Sequence, residues 1–289
     1  MLRAQFNVIT GALLFSTGGV AIKLSSLTGW QVSCLRSLIA GIVLLLVFPR
    51  LGTILSWRSL VVAIPYAATF TLYALANKLT TAANAIFLQD TAPLYILLLG
   101  PLLLGERIRS GDLVFMSALG AGLGLIFVSG VAPSATASDP ALGNILGACA
   151  GVTWALTVLG LRWLAVRSIS SPEHPIAAVI AGCFLASATA AFFALPLESP
   201  TFENWLIVAY LGVFQIALAY LFVTDGIRHV AALEASLLLL VEPVLSPLWA
   251  WLVLDEVPGL LALAGGAIVI AATFAYTRRR DRSPGAVAA

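Results

Sequence analysis

The chain of 289 residues is 61% hydrophobic and only 10% charged, with a formal net charge of +2 and a mean hydropathy of +1.03. A soluble domain carries about a quarter charged residues to face water, so this composition excludes a water-solvated surface over most of the chain. The small net charge gives no footing for a nucleic-acid partner, and lipid is the solvent that remains.

A bilayer core of about 30 Å needs roughly 20 apolar residues in helical form. That ruler places ten spans, near 5–25, 31–49, 58–77, 82–104, 112–131, 141–163, 174–196, 204–224, 231–253 and 258–276. The first has no A-x-A cleavage site and nine more follow it, so it reads as a span rather than a leader. In chain order, span 1 is interrupted by Ser16 and Thr17, and span 2 carries Arg36 a few residues in. Span 3 ends in Tyr73 and Asn77, and span 4 holds Asn84, Gln89 and Asp90 just before Pro93. Span 5 has Gly120 and Gly124, and span 6 has Gly147 and Gly151 followed by Thr153 and Trp154. Such small pairs four apart let helix backbones approach closely. Span 8 contributes Phe214, Gln215 and Tyr220, and span 9 places Glu242 beside Pro243. Cys34, Cys149 and Cys183 lie inside apolar stretches and read as small hydrophobes.

The basic residues set an orientation. A cytoplasmic N-terminus puts Arg3, Arg50, Arg58, Arg107, Arg109, Arg162, Arg167, Arg228 and the Arg278–Arg280 tail with Arg282 on the inside. Lys23 and Lys78 then fall outside, within reach of the headgroups, and Arg36 lies in the membrane. This bias is what the positive-inside rule expects, with both termini cytoplasmic.

An offset of 150 positions overlays the chain on itself, matching Lys78 with Arg228, Ala82 with Ala232, Ala85 with Ala235, Pro93 with Pro243 and Glu106 with Glu256. The match predicts a five-helix repeat over 1–132, a linker over 133–140, a second repeat over 141–277 and a basic cytoplasmic tail over 278–289. Five is odd, so the second repeat enters from the opposite face. The expected fold is therefore an all-α integral membrane protein, ten transmembrane helices as two inverted five-helix repeats around a central cavity. Two such bundles can expose one central site to each side in turn.

At this point the chain resembles the drug/metabolite transporter superfamily, in particular its ten-span EamA-type members. Each repeat closes a proline-containing fourth helix with an acidic loop, "GER" at 105–107 and "DEV" at 255–257. The resemblance implies a basket of helices 1–4 and 6–9 around the cavity, with helices 5 and 10 outside. A more particular likeness is to the bacterial aromatic amino-acid exporters of that superfamily.

Ionisable groups inside a membrane are costly and are functional candidates by default. Arg36 and Asp90 lie at matching depth, so they could form an ion pair; alternatively Arg36 faces a substrate carboxylate, or snorkels outward. Glu242 could carry a coupled proton or bond a neighbouring helix in its neutral form. Glu106 and Glu256 sit at span ends, where capping or loop roles are expected. Ser16, Thr17, Tyr73, Asn77, Asn84, Gln89, Thr153, Trp154, Phe214, Gln215 and Tyr220 complete the candidate cavity set, its amides and hydroxyls serving an amino acid's two ends. Mid-span aromatics serve either cavity or packing, whereas Trp30, Trp57 and Trp205 read as interfacial belt residues.

There is no GxxxxGK[ST] loop for ATP, no catalytic motif, and only two histidines, so neither a cofactor, a metal site nor an enzyme is expected. The expected function is a secondary transporter exporting small metabolites, foremost aromatic or hydrophobic amino acids, across a bacterial inner membrane by alternating access. Its partners are then a small-molecule substrate, membrane lipid and a coupled proton. A drug or nucleotide-sugar carrier is the alternative within transport. An intramembrane lipid-modifying enzyme is the alternative from another class, and would need its polar residues clustered at one interface. A structural or receptor role is a third reading.

Overall fold

The computed structural model describes residues 2–49, 55–104, 110–128, 136–167, 175–197, 200–230, 232–257 and 259–281. Ten helical rods follow one another through them. Rod α1 is Leu2–Ser16 continued by Gly18–Leu24, α2 is Gly29–Val47, and α3 is Trp57–Leu79. Rod α4 is Ala82–Gln89 continued by Ala92–Leu104, α5 is Ser110–Val128, α6 is Pro140–Arg167 and α7 is Pro175–Ala194. Rod α8 runs from Phe202 to Gly226 with a π-helical stretch at Leu211–Leu218, α9 is Ala232–Leu239 continued by Val241–Leu254, and α10 is Leu260–Asp281. Among the described residues eight of these, α1–α4 and α6–α9, are long and apolar enough to cross a membrane. The protein is an all-α membrane protein.

Helix bounds recur at the offset read from the sequence. Ala82 and Ala232 start α4 and α9, Leu104 and Leu254 end them, and Ser110 and Leu260 start α5 and α10. Both fourth rods break at equivalent places, Asp90–Thr91 and Leu240. The cause is shared: Pro93 and Pro243 lack an N–H and are tolerated in the first turn of a fresh helix, not in the interior of a continuous one. The packing repeats the same order. Rod α3 packs on α6 as α8 packs on α1, α2 on α8 as α7 on α3, and α4 on α6 as α9 on α1. Rods α2 and α7 pair with each other, as do α5 and α10. Every one of these contacts maps onto another, or onto itself, when each rod is exchanged with the one five places on.

Small residues permit the closest approaches. A Cβ on Gly151 would stand 2.6 Å from Leu88 O, so only glycine lets α6 lie against the break in α4. Gly147 likewise faces Leu88. Gly120 and Gly124 differ from expectation, because nothing lies within 4 Å of a Cβ at either. That stripe of α5 faces open space rather than a helix.

The end of the molecule where α1 finishes is stitched by charge. Lys23 Nζ stands 3.1 Å from Glu256 Oε1, with side-chain exposures of 4% and 9%. It also donates to Thr80 O and Thr136 O, and Glu256 Oε2 accepts from Ala82 N at 3.0 Å, capping the start of α4. The expected capping role of Glu256 is present; Glu106 lies outside the described residues. Lys23 does not reach for headgroups as the sequence suggested, because a buried carboxylate and two carbonyls hold it inward. Asp255, in the left-handed region at φ 53°, turns the chain out of α9 so that Glu256 can reach this position.

Removing one partner of a buried ion pair leaves the other uncompensated, at a cost of about 3–5 kcal/mol. Lys23→Met should therefore lower the thermal midpoint of the detergent-purified protein sharply. The double variant Lys23→Met/Glu256→Leu should recover part of that loss in the same melting measurement.

Candidate functional site

Six rods meet around a central cavity lined by Phe15 of α1, Thr69, Phe70 and Tyr73 of α3, Gln89 of α4, Trp154 of α6, Gln215 and Tyr220 of α8, and Glu242 of α9. Both halves of the chain contribute. The space is narrow, with room for about one water molecule, so a solute the size of an amino acid requires the rods to part. The walls are aromatic. The Tyr220 ring packs against Phe15 at 5.2 Å, Tyr66 at 5.1 Å and Phe70 at 5.7 Å, and Phe15 meets Trp154 edge-on at 6.3 Å. These are the offset and edge-to-face spacings that aromatic rings prefer.

The polar groups in and behind this wall are short of partners. Tyr220 OH, Gln215 Oε1 and Asp90 Oδ2 are buried and make no hydrogen bond. The Tyr73 hydroxyl and Asn77 Oδ1 are neighbours without hydrogen-bond geometry between them, and Asn77 Nδ2 bonds back to Tyr73 O at 3.1 Å. Buried polar groups are nearly always satisfied. A cluster that is not, gathered on one cavity, is what a site awaiting a polar solute would show.

The breaks explain how the acids arrive here. Asp90 caps the first half of α4, and Glu242 sits in the first turn of the second half of α9, where the helix dipole favours an acid. Both are buried, at 3% exposure. In α8 the π-helical stretch holds Gln215, which reaches the cavity beside Gly18; a Cβ on Gly18 would stand 2.7 Å from Gln215 Nε2. Single-turn widenings of this kind recur at functional sites.

Of the candidates read from sequence, Tyr73, Gln89, Trp154, Gln215, Tyr220 and Glu242 are brought together on the lining. Asp90 adjoins Gln89, and Asn77 lies behind Tyr73. Others are engaged elsewhere. Ser16 accepts from Trp249 Nε1 at 3.1 Å and its carbonyl from Ser246 at 2.9 Å, which ties the break in α1 to α9. Thr17 bonds Tyr210 OH at 2.8 Å. Asn84 reaches Asn144 at 3.4 Å, and Thr153 meets Thr69 at 2.9 Å, both on the α6 side. Phe214 is 47% exposed and stacks outward on Tyr210. Arg36 makes no ion pair with Asp90: its Nη2 donates to Phe70 O at 2.7 Å and its guanidinium lies 5.2 Å from the Phe70 ring centre. Among the described residues no group of histidine, cysteine and acidic side chains is arranged to hold a metal.

Sequence reasoning missed Phe15, Thr69 and Phe70. A signal existed for two of them: Thr69 and Phe70 lie four and three residues before Tyr73, hence on its helix face.

Such a molecule, an all-helical membrane protein closed around an aromatic cavity built by two like halves, has the form of a membrane transporter. The EamA-like transporter family model matches it twice, over residues 2–128 and 141–278. The chain belongs to that family. It is 26% identical over 284 residues to the pseudopaline exporter CntI of Pseudomonas aeruginosa strains UCBPP-PA14 and PAO1, covering 94% of this chain and 95% of the exporter. A crystal structure 22% identical in sequence shares the fold, with a TM-score of 0.71 over 98% of this chain and 99% of its own.

Because the Tyr220 hydroxyl has no partner inside the protein, Tyr220→Phe should change stability by less than about 1 kcal/mol. Transport should fall nonetheless if that hydroxyl serves the solute. Melting and proteoliposome flux measured on the same preparation separate these effects.

Proposed function

We propose that this protein is a secondary transporter that exports small amino acids with aromatic or branched side chains across a bacterial inner membrane. The observation that carries the reading is the cavity itself: aromatic walls, buried unpartnered polar groups, and lining residues drawn from both halves of the chain. Burial of an apolar side chain between such walls contributes about 25 cal/mol per Å². Pockets of this kind discriminate weakly between neighbours, since one methylene is worth about 1–3 kcal/mol, so several hydrophobic amino acids are expected to share the route. The relative in Pseudomonas aeruginosa, named as an exporter, supports export of a metabolite.

Alternating access follows from the paired architecture. Each repeat spans the membrane an odd number of times, so the two run in opposite senses and can exchange arrangements about a fixed centre. In this reading both termini are cytoplasmic, and the Lys23–Glu256 stitch closes the outer end. A coupled proton, carried at Asp90 or Glu242, belongs to the same proposal.

Purified protein in liposomes tests it. Phenylalanine and tryptophan should be moved, faster with a proton gradient, and should compete better than aspartate, lysine or a nucleotide sugar. The reverse ranking sinks the amino-acid reading and favours the alternative carrier. For the topology, a reporter fused at Arg107 or after the C-terminal tail should read cytoplasmic; an outside signal at either overturns the orientation.

A further inference from the structure

Ionisable groups of both kinds are buried around the cavity, and the base does not pair with the acids. On α2 the Arg36 side chain is fully enclosed, with 0% exposure. One nitrogen donates to Phe70 O, while Nε and Nη1 make no hydrogen bond at all. Tyr73, Tyr66, Cys183 and Tyr220 act on its charge, and among the described residues no carboxylate forms an ion pair with it. On α4 and α9, Asp90 and Glu242 are near enough to act on each other. The Lys23–Glu256 ion pair engages none of the three.

An apolar residue at position 36 would pack without these losses, since a buried charge without a counter-ion and a buried N–H without an acceptor both destabilise. A base and two acids that could neutralise each other are instead left unpaired. Tyr73 and Tyr220 are each within electrostatic reach of both Arg36 and Glu242. Both tyrosines line the cavity, as does Phe70, over whose ring Arg36 stands.

Resting on the exporter reading above, we propose that the cavity is a two-pole receptor for amino carboxylates, in which Arg36 takes the carboxylate and Asp90 with Glu242 takes the ammonium. The guanidinium fork offers a carboxylate the charge and the donors it lacks elsewhere in the wall. An ammonium placed between two carboxylates cancels their mutual repulsion. The tyrosine and phenylalanine rings of the wall take the hydrocarbon part. Arg36 stands one layer behind the lining, so the receptor is completed when the rods part, a movement that any solute larger than water requires. Amides and hydroxyls alone are then not what sorts the two ends of the solute.

The test uses the full-length protein in proteoliposomes, with phenylalanine flux competed by phenethylamine, which lacks the carboxylate, and by 3-phenylpropionate, which lacks the amine. In the unmodified protein each analogue should compete about tenfold or more weakly than phenylalanine, the scale of one lost charge-assisted contact. Arg36→Gln should collapse the preference over phenethylamine while keeping the preference over 3-phenylpropionate; Arg36→Lys should restore part of it. Glu242→Gln should do the opposite. Should either variant fold poorly, the analogue ranking on the unmodified protein still decides. If phenylalanine is moved but either analogue competes as well as it does, the two-pole receptor is wrong and the exporter reading survives. Uniform weakening of all three compounds by Arg36→Gln would likewise make Arg36 structural. If phenylalanine is not moved at all, the exporter reading fails and takes this proposal with it.

Discussion

Inside hydrocarbon no water is available to a free N–H or C=O, so a helix that breaks in a membrane must find partners for its loose ends within the protein. This chain breaks or widens four of its rods, and each has a local solution. In α1 the break at Thr17 is bonded to α9 through Ser16 and Ser246. In α4 the hydroxyl of Thr91 donates to Leu88 O at 2.8 Å, and Pro93 removes a donor that would otherwise be stranded. Rod α8 absorbs its extra residue as a π-helical stretch that keeps its backbone bonds, and α9 restarts with Glu242 at the new N-terminus. All four irregular rods face the cavity, whereas the other two that line it, α3 and α6, run unbroken. One wall is jointed and the other is straight.

That division gives the two-fold order of the packing a mechanical content. Rods α3 and α6 form one broad contact, and α8 with α1 form its counterpart across the exchange of halves. The members of the second contact contain a break and a π-helical stretch, and those of the first contain neither. The halves are alike in plan and unlike in stiffness. On the exporter reading proposed above, so narrow a cavity would widen by bending the jointed wall against the straight one.

Much of this plan was legible before any coordinates. Lipid-grade hydropathy gave the rods, and the alignment of Pro93 with Pro243 marked equivalent places in α4 and α9, beside which the structure breaks both. Glu256 at a span end was readable as a cap, but not that the helix it caps is α4, 174 positions earlier. The misreadings concern side chains whose partners lie far away in sequence. Arg36 and Asp90 share a depth but not an azimuth, and depth is all that counting along a helix provides. Lys23 was read as reaching for lipid, since nothing local marks Glu256 as its partner 233 positions later. The glycines of α5 and α6 have the same spacing, yet only those of α6 meet a neighbour. The π-helical stretch that carries Gln215 has no local signature at all, being set by how α8 is gripped between α1 and α2.

The contact between α3 and α6 contains three threonines, Thr69, Thr153 and Thr157, whose hydroxyls lie 2.9 and 3.5 Å apart across the seam. Each also has a carbonyl of its own helix within reach: Pro65 O for Thr69, Cys149 O for Thr153 and Thr153 O for Thr157. A hydroxyl that turns from the opposite rod to its own backbone loses no hydrogen bond. These two helices can therefore slide or part by a fraction of a turn with almost no polar friction, unlike the charged stitch at the end of α1, which must be broken outright. On the exporter reading proposed above, the seam would act as a lubricated bearing beside a latch, and the latch would hold most of the barrier.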